Sequence, residues 1–257
     1  TTNIACIGAG RVTRILLEGL ARKNCLPERI MVTDTNPDVL KNLAEKFPSI
    51  EPTNQVDESM SNADFLFINL HPPVVGEMLH NIVPFLGEKT TIVSLAPKIK
   101  IATINQLTGA SRSVIRMIPN AASYVNEGYN PVVFGSSCPE NIRKKFTELM
   151  VALGQMPEVP EEMLEAYTVI TAMGPTYLWF QLAELIHLAQ TFGLTQKDAT
   201  DAVLSMAEGA AKIMKKSDLT PEAVMDLVPV KPLADKEEAI REMYNGSLTG
   251  LYEKLTS

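Results

Sequence analysis

Ile4-Ala5-Cys6-Ile7-Gly8-Ala9-Gly10-Arg11-Val12-Thr13 decides the fold class. Its apolar start reads as a short buried strand, and Gly8-Ala9-Gly10 follows without a spacer. Val12, Ile15, Leu16, Gly19 and Leu20 then recur at helical spacing, so strand passes straight into helix. Such a corner aims the unpaired N–H groups of a helix start, with their partial positive charge, at whatever lies above the glycines. Gly8 permits the tight turn, and Gly10 lets backbone approach a pyrophosphate. Ala9, Arg11 and Val12 complete that loop, while Thr13 stands where the usual fingerprint has a third glycine. The reading is a dinucleotide site, against the plainer alternative of a structural turn.

The next apolar run, Ile30-Met31-Val32-Thr33, ends in Asp34. An acid about 20 residues past the glycines is the residue expected to hold the adenosine ribose. It accepts hydrogen bonds from ribose hydroxyls and repels a 2′-phosphate, and no Arg or Lys lies between Asp34 and Lys41 to offset that. NAD is therefore favoured over NADP, although Arg11 could still reach a phosphate. The plain alternative makes Asp34 the cap of a helix starting near Pro37.

The chain has 257 residues, 46% of them hydrophobic and 21% charged, which suits a packed core. A net charge of −7 lacks the basic footprint that nucleic acid requires. Cys6, Cys25 and Cys138 show no metal-ligand spacing, and three unpaired thiols suit a reducing, cytoplasmic setting. The N-terminus has no basic stretch before its apolar run, so no signal peptide is read there. Residues 166–183 carry no charge and are long enough to raise the question of a membrane span. Gly174-Pro175 interrupts that run and several threonines dilute it, so a helix buried in protein is expected, with Met173, Trp179 and Phe180 in the core.

Strands are expected at 3–7, 29–34, 64–69, 90–95, 112–118 and 131–135, alternating with helices at 11–23, 37–47, 73–84 and 139–153. That alternation, with near-continuous apolar strands, describes an α/β, Rossmann-like, doubly wound and mainly parallel sheet. From Pro160 onward only helices are read. The expected division is a dinucleotide-binding domain over 1–158 and an all-helical domain over 159–257. So small a set of apolar helices buries little of its own surface, which points to a homodimer through the C-terminal helices.

Five stretches carry a family resemblance: Ile7-Gly8-Ala9-Gly10, Asp64 to Pro72, Arg116-Met117-Ile118-Pro119-Asn120, Gly174-Pro175-Thr176-Tyr177 and Glu208 to Lys212. Over nearly its full length the chain resembles pyrroline-5-carboxylate reductase. The resemblance implies a Rossmann domain, a helical dimerisation domain, and hydride transfer from NAD or NADP to the C=N bond of a small cyclic imino acid. It also marks departures. His71 replaces the lysine before proline, and Asn120-Ala121-Ala122 replaces Asn-Thr-Pro. Val230-Lys231-Pro232-Leu233-Ala234-Asp235 lies where the family has Ser-Pro-Gly-Gly-Thr-Thr, whose glycines turn backbone N–H groups toward the substrate carboxylate. Leu233 and Ala234 adopt positive φ less readily than glycine, by about 1 kcal/mol or more each.

By this resemblance Asn69-Leu70-His71-Pro72 lines the nicotinamide half, with Asn120 beside it. His71 is the candidate acid–base group, since imidazole titrates near neutrality. Thr171 keeps a hydroxyl at a family serine position and can face substrate, or can bond back to a helical carbonyl. Lys231 can take over a substrate carboxylate by charge. Asp235 falls where the family threonine stands, or caps the last helix. A paralogue acting on another small imine or carbonyl acid, and a dinucleotide sensor without turnover, remain as alternatives. No metal role is read.

Overall fold

The computed structural model describes residues 2–109 and 112–257, apart from the side chain of Pro72. By contact density the chain divides into two compact units, Thr1–Ala172 with Tyr252–Ser257, and Met173–Leu251. The division falls after Ala172, later than the expected 158. Residues 159–172 stay with the sheet because Leu164 packs with Ile118 and Val133, and because two of its glutamates meet Arg116.

The first unit holds a seven-stranded sheet in the order β3-β2-β1-β4-β5-β6-β8. Its strands are β1 Asn3–Ile7, β2 Arg29–Thr33, β3 Ile50–Thr53, β4 Phe65–Ile68, β5 Thr91–Ser94, β6 Val114–Met117 and β8 Val132–Phe134. All pair in parallel except β8, which is antiparallel to β6. A further small pair joins β7 Gly128–Tyr129 to β9 Gly154–Gln155. Sequence reading missed β3, a four-residue edge strand interrupted by Pro52, as edge strands tolerate.

Helices cover both faces, as burial of every residue in β4, β5 and β6 requires. On one face, α1 Arg11–Arg22 brings Leu16, Leu17 and Leu20, α2 Pro37–Lys46 brings Leu40 and Leu43, and α5 Glu140–Met150 brings Phe146 and Met150. Phe146 meets Phe65 edge to face at 5.3 Å. On the other face, Val75 and Leu79 of α3 Pro72–Ile82 and Ile104 of α4 Ile101–Thr108 cover Ile68, Ile92 and Val114. Each such buried side chain contributes about 1.5–3 kcal/mol. The strand order reverses between β1 and β4, which opens a crevice at their carboxyl ends. A short helix, α6 Leu164–Tyr167, continues into a π turn over Thr168–Ala172.

The second unit is helical: α7 Pro175–Thr191, α8 Gln196–Lys216, α9 Pro221–Met225 and most of α10 Glu237–Thr256. Thr195 and Thr220 cap α8 and α9, and Gly193 with φ +103° follows the end of α7. One expectation needs correcting here. Within the single chain Trp179 and Phe180 are exposed and Met173 is half-buried, so none of the three is core, and no residue of α7 is buried. Apolar composition marked these helices as needing a cover from a second copy, but did not show that Trp179 and Phe180 lie on the uncovered surface. Among the described residues no helix is long and apolar enough to cross a membrane.

Candidate functional site

The first βα corner is built as the glycines require. Gly8 has φ +102°, and a Cβ there would stand 2.7 Å from the Asn69 carbonyl oxygen. Only glycine fits that turn and that approach. Gly10 is the N-cap of α1, and a Cβ added to it would meet nothing within 4 Å. No side chain caps α1, and its first turn holds no acid, so its leading N–H groups face outward. Arg11 is exposed there and Val12 half-buried. Thr13, in the third-glycine position, is fully buried. Its hydroxyl donates to the Gly8 carbonyl and accepts from Asn69 Nδ2 at 2.6 Å, tying the loop after β1 to the loop after β4. Sequence reading counted this threonine only as a missing glycine.

Asp34 closes the corner from the side. Its Oδ2 accepts the Ala9 N–H at 2.7 Å and its Oδ1 accepts the Asn36 N–H at 2.8 Å. It is not the cap of α2: Asn36 is, accepting from Asp38 and Val39. A cavity of about 320 Å³ lies beside it, lined by Gly8, Asp34, Thr35, Asn54, Gln55 and Asn81, with Val56, Leu70, Met78 and Phe85 as apolar wall. The structure thus brings Gly8, Asp34 and Leu70 together. Asn54 and Gln55 were missed because they follow the unrecognised edge strand.

The remaining candidates do not line that cavity. Asn69 Oδ1 is buried with no partner among the described residues. His71 is exposed at the N-cap of α3 and caps nothing with its ring. The side chain of Pro72 lies outside the described residues. Asn120 is buried, its Oδ1 accepting from the Ala122 N–H and its Nδ2 donating to the Thr171 carbonyl. The Thr171 hydroxyl donates to the Tyr167 carbonyl at 2.8 Å, the back-bonded arrangement weighed above.

In the second unit Lys231 is exposed, 3.5 Å from Asp226, and Asp235 pairs with its neighbour Lys236 at 2.9 Å. Lys231 lines an open cavity of about 860 Å³ with Leu233, Arg241, Tyr244 and Asn245. No residue of the 230–235 turn is among the positive-φ residues, so backbone N–H groups do not converge there as a glycine pair would turn them.

A nicotinamide dinucleotide fits the first corner. The donors suit a diphosphate, Asp34 suits a ribose, the apolar wall suits a base, and a Cβ at Gly10 would project into the open space beside the turn. When bound, such a cofactor supplies the hydride.

Comparisons with known proteins agree with this geometry. Residues 3–98 match the family described as NADP oxidoreductase coenzyme F420-dependent, and residues 161–256 match pyrroline-5-carboxylate reductase dimerisation. The chain is 27% identical over 254 residues to pyrroline-5-carboxylate reductase of Corynebacterium melassecola, covering 98% of this chain and 93% of the relative. The enzyme of the same name from Pseudomonas aeruginosa is 24% identical over 255 residues, covering 99% and 93%. The crystal structure of Plasmodium falciparum pyrroline carboxylate reductase with NADP bound has the same fold, with a TM-score of 0.86, 19% identity, and coverage of 100% of this chain and 97% of that one. The Streptococcus pyogenes enzyme gives 0.82, with 16% identity and coverage of 99% and 98%. With one match on each half of the chain and full-length relatives under a single name, the chain is an NAD(P)-dependent oxidoreductase similar along its whole length to pyrroline-5-carboxylate reductases.

Proposed function

We propose that this protein reduces the C=N bond of a small cyclic imino acid, with pyrroline-5-carboxylate as first substrate and NADH as preferred donor. The observation that carries the reading is the Asp34 carboxylate seated between the Ala9 amide and a nucleoside-sized cavity. The sheet-bearing unit serves as the dinucleotide part and the C-terminal helices as the substrate and dimerisation part. Gly8, Ala9, Gly10, Arg11 and Val12 take the diphosphate, and Asp34 the adenosine ribose. Asn69, Leu70, His71 and Pro72 take the nicotinamide half. Thr171 and Lys231 are assigned to substrate, and His71 to proton transfer, with Asp235 and Thr171 as the other candidates. The protein acts as a cytoplasmic homodimer. The exposed Leu178, Trp179, Phe180, Leu188 and Met214 support that reading, since so many exposed large apolar side chains on α7 and α8 call for a partner surface.

NADH fluorescence titration tests the donor, and loss of nicotinamide absorbance on adding pyrroline-5-carboxylate tests the substrate. Tight NADH binding with turnover at background would discard that substrate and leave a paralogue for another imine or carbonyl acid, or a sensor. The ordinary φ values of the 230–235 turn favour the paralogue as second reading.

A further inference from the structure

Asn120 sits at the end of β6, and its carboxamide has a defined use within the protein. Its Oδ1 accepts the Ala122 N–H at 3.0 Å, and its Nδ2 donates to the Thr171 carbonyl oxygen at 2.5 Å, across 51 residues of chain. Its own N–H donates to Asn130 Oδ1 at 2.8 Å, and that oxygen also accepts the Ser123 hydroxyl. The residue is 8% exposed and Asn130 1%.

The Thr171 carbonyl needs an outside donor for a reason written in the sequence. An α-helical carbonyl accepts from the N–H four residues on, and residue 175 is proline, which has none. Its ring also crowds the carbonyl four residues back, which breaks regular winding. The N–H five residues on, at Thr176, donates to the Met173 carbonyl. The chain meets this with a π turn over Thr168–Ala172, and the Asn120 amide fills the place of the lost donor. A buried carbonyl left without a partner is costly, so the exchange is tightly specified.

We infer that Asn120 is a positioning residue: it fixes the turn that carries Thr171 at the carboxyl end of β6, in place of the helical hydrogen bond that Pro175 removes, and does not bind the cofactor. The inference rests on the assignment of Thr171 to the substrate half, proposed above.

The test uses the full-length protein. Asn120→Asp keeps the oxygen that caps Ala122 and replaces the donor with a charged acceptor that repels the Thr171 carbonyl. Asn120→Ser is a neutral variant that can still cap but is too short to reach Thr171. Both are expected to keep NADH affinity within about twofold, to speed amide exchange over 169–174, and to lower kcat/KM for pyrroline-5-carboxylate about tenfold, the usual size of one lost buried hydrogen bond. Adding Pro175→Ala gives residue 175 an N–H for the Thr171 carbonyl, and recovery of both exchange protection and kcat/KM is expected in the double variant. A purely structural defect or a lost cofactor contact would not be repaired there. Weaker NADH binding by either variant, unaltered exchange, or absence of rescue by Pro175→Ala overturns the inference. If the wild-type protein turns over no pyrroline-5-carboxylate, the substrate assignment fails, while exchange and its rescue still decide the role of Asn120.

Discussion

The Asp34 carboxylate accepts the Ala9 backbone N–H at 2.7 Å, so the acid at the end of β2 holds the glycine loop at the start of α1. One side chain therefore joins the two parts of the corner that a dinucleotide would span. A charge-assisted bond of this kind is stronger than a neutral one. Asp34→Ser frees the Ala9 amide and removes the negative charge at the ribose position. NADH affinity is expected to fall about tenfold, with NADPH losing less, so that the NADPH to NADH ratio rises. Parallel fluorescence titrations measure both. An unchanged ratio would mean that Asp34 serves only the loop.

Gly8 and Gly10 are expected to separate fold from binding. A side chain at Gly8 requires an unfavourable positive φ and meets the Asn69 carbonyl at 2.7 Å. Gly8→Val should lower the thermal midpoint by several degrees, the response to roughly 2 kcal/mol or more in a domain of this size. A Cβ at Gly10 meets no atom within 4 Å, so Gly10→Val should leave the midpoint unchanged while abolishing NADH binding. Retained binding by the Gly10 variant would move the nucleotide away from this corner.

Three hydrogen-bonded carboxylates of the first unit contribute to stability toward acid. Hydrogen bonds from Lys46 to Glu18, from Arg29 to Glu51 and from Ser59 to Asp57 hold all three below their ordinary values. A carboxyl depressed in the folded state adds stability above its unfolded pKa, about 4.3 for Glu and 3.9 for Asp, and loses it as pH falls through the folded value. The urea midpoint should thus be level near neutrality and decline below about pH 4.5. Glu51→Gln should flatten part of that decline. A steeper decline in the variant would exclude the Arg29 pair as a contributor.

The corner was legible in sequence because its chemistry is local: glycines, a strand end and an acid declare themselves by spacing. The edge strand β3 was not, because Pro52 and its short length hide it. Helix α4 was missed because Lys100, at its N-cap, offers no side-chain cap signal. Trp179 and Phe180 were assigned to the core because apolarity states that a face is to be covered, not by whose atoms. The Asn120 bridge depends on a proline far along the chain, and only the folded structure brings donor and carbonyl together.

A buried arginine in a strand was the remaining signal, because such a cation must be partnered. Arg116 has no exposed surface in its side chain and meets Glu161 at 3.0 Å and Glu165 at 2.9 Å. The same two carboxylates accept the N–H groups of Ile101 and Lys98, the latter at φ +70°, so the loop after β5 is held in the same knot. Arg116→Met leaves Glu165 buried without its counter-ion and is expected to cost about 3–5 kcal/mol. Arg116→Lys provides one compact charge where the guanidinium reaches two acceptors, and should fall between. Glu165→Gln removes the stranded charge, so adding it to Arg116→Met should recover part of the loss, a non-additivity readable in a urea double-mutant cycle. Additive costs would mean that each side chain contributes by packing alone, and that the charges at the end of β6 do not hold the loop after β5.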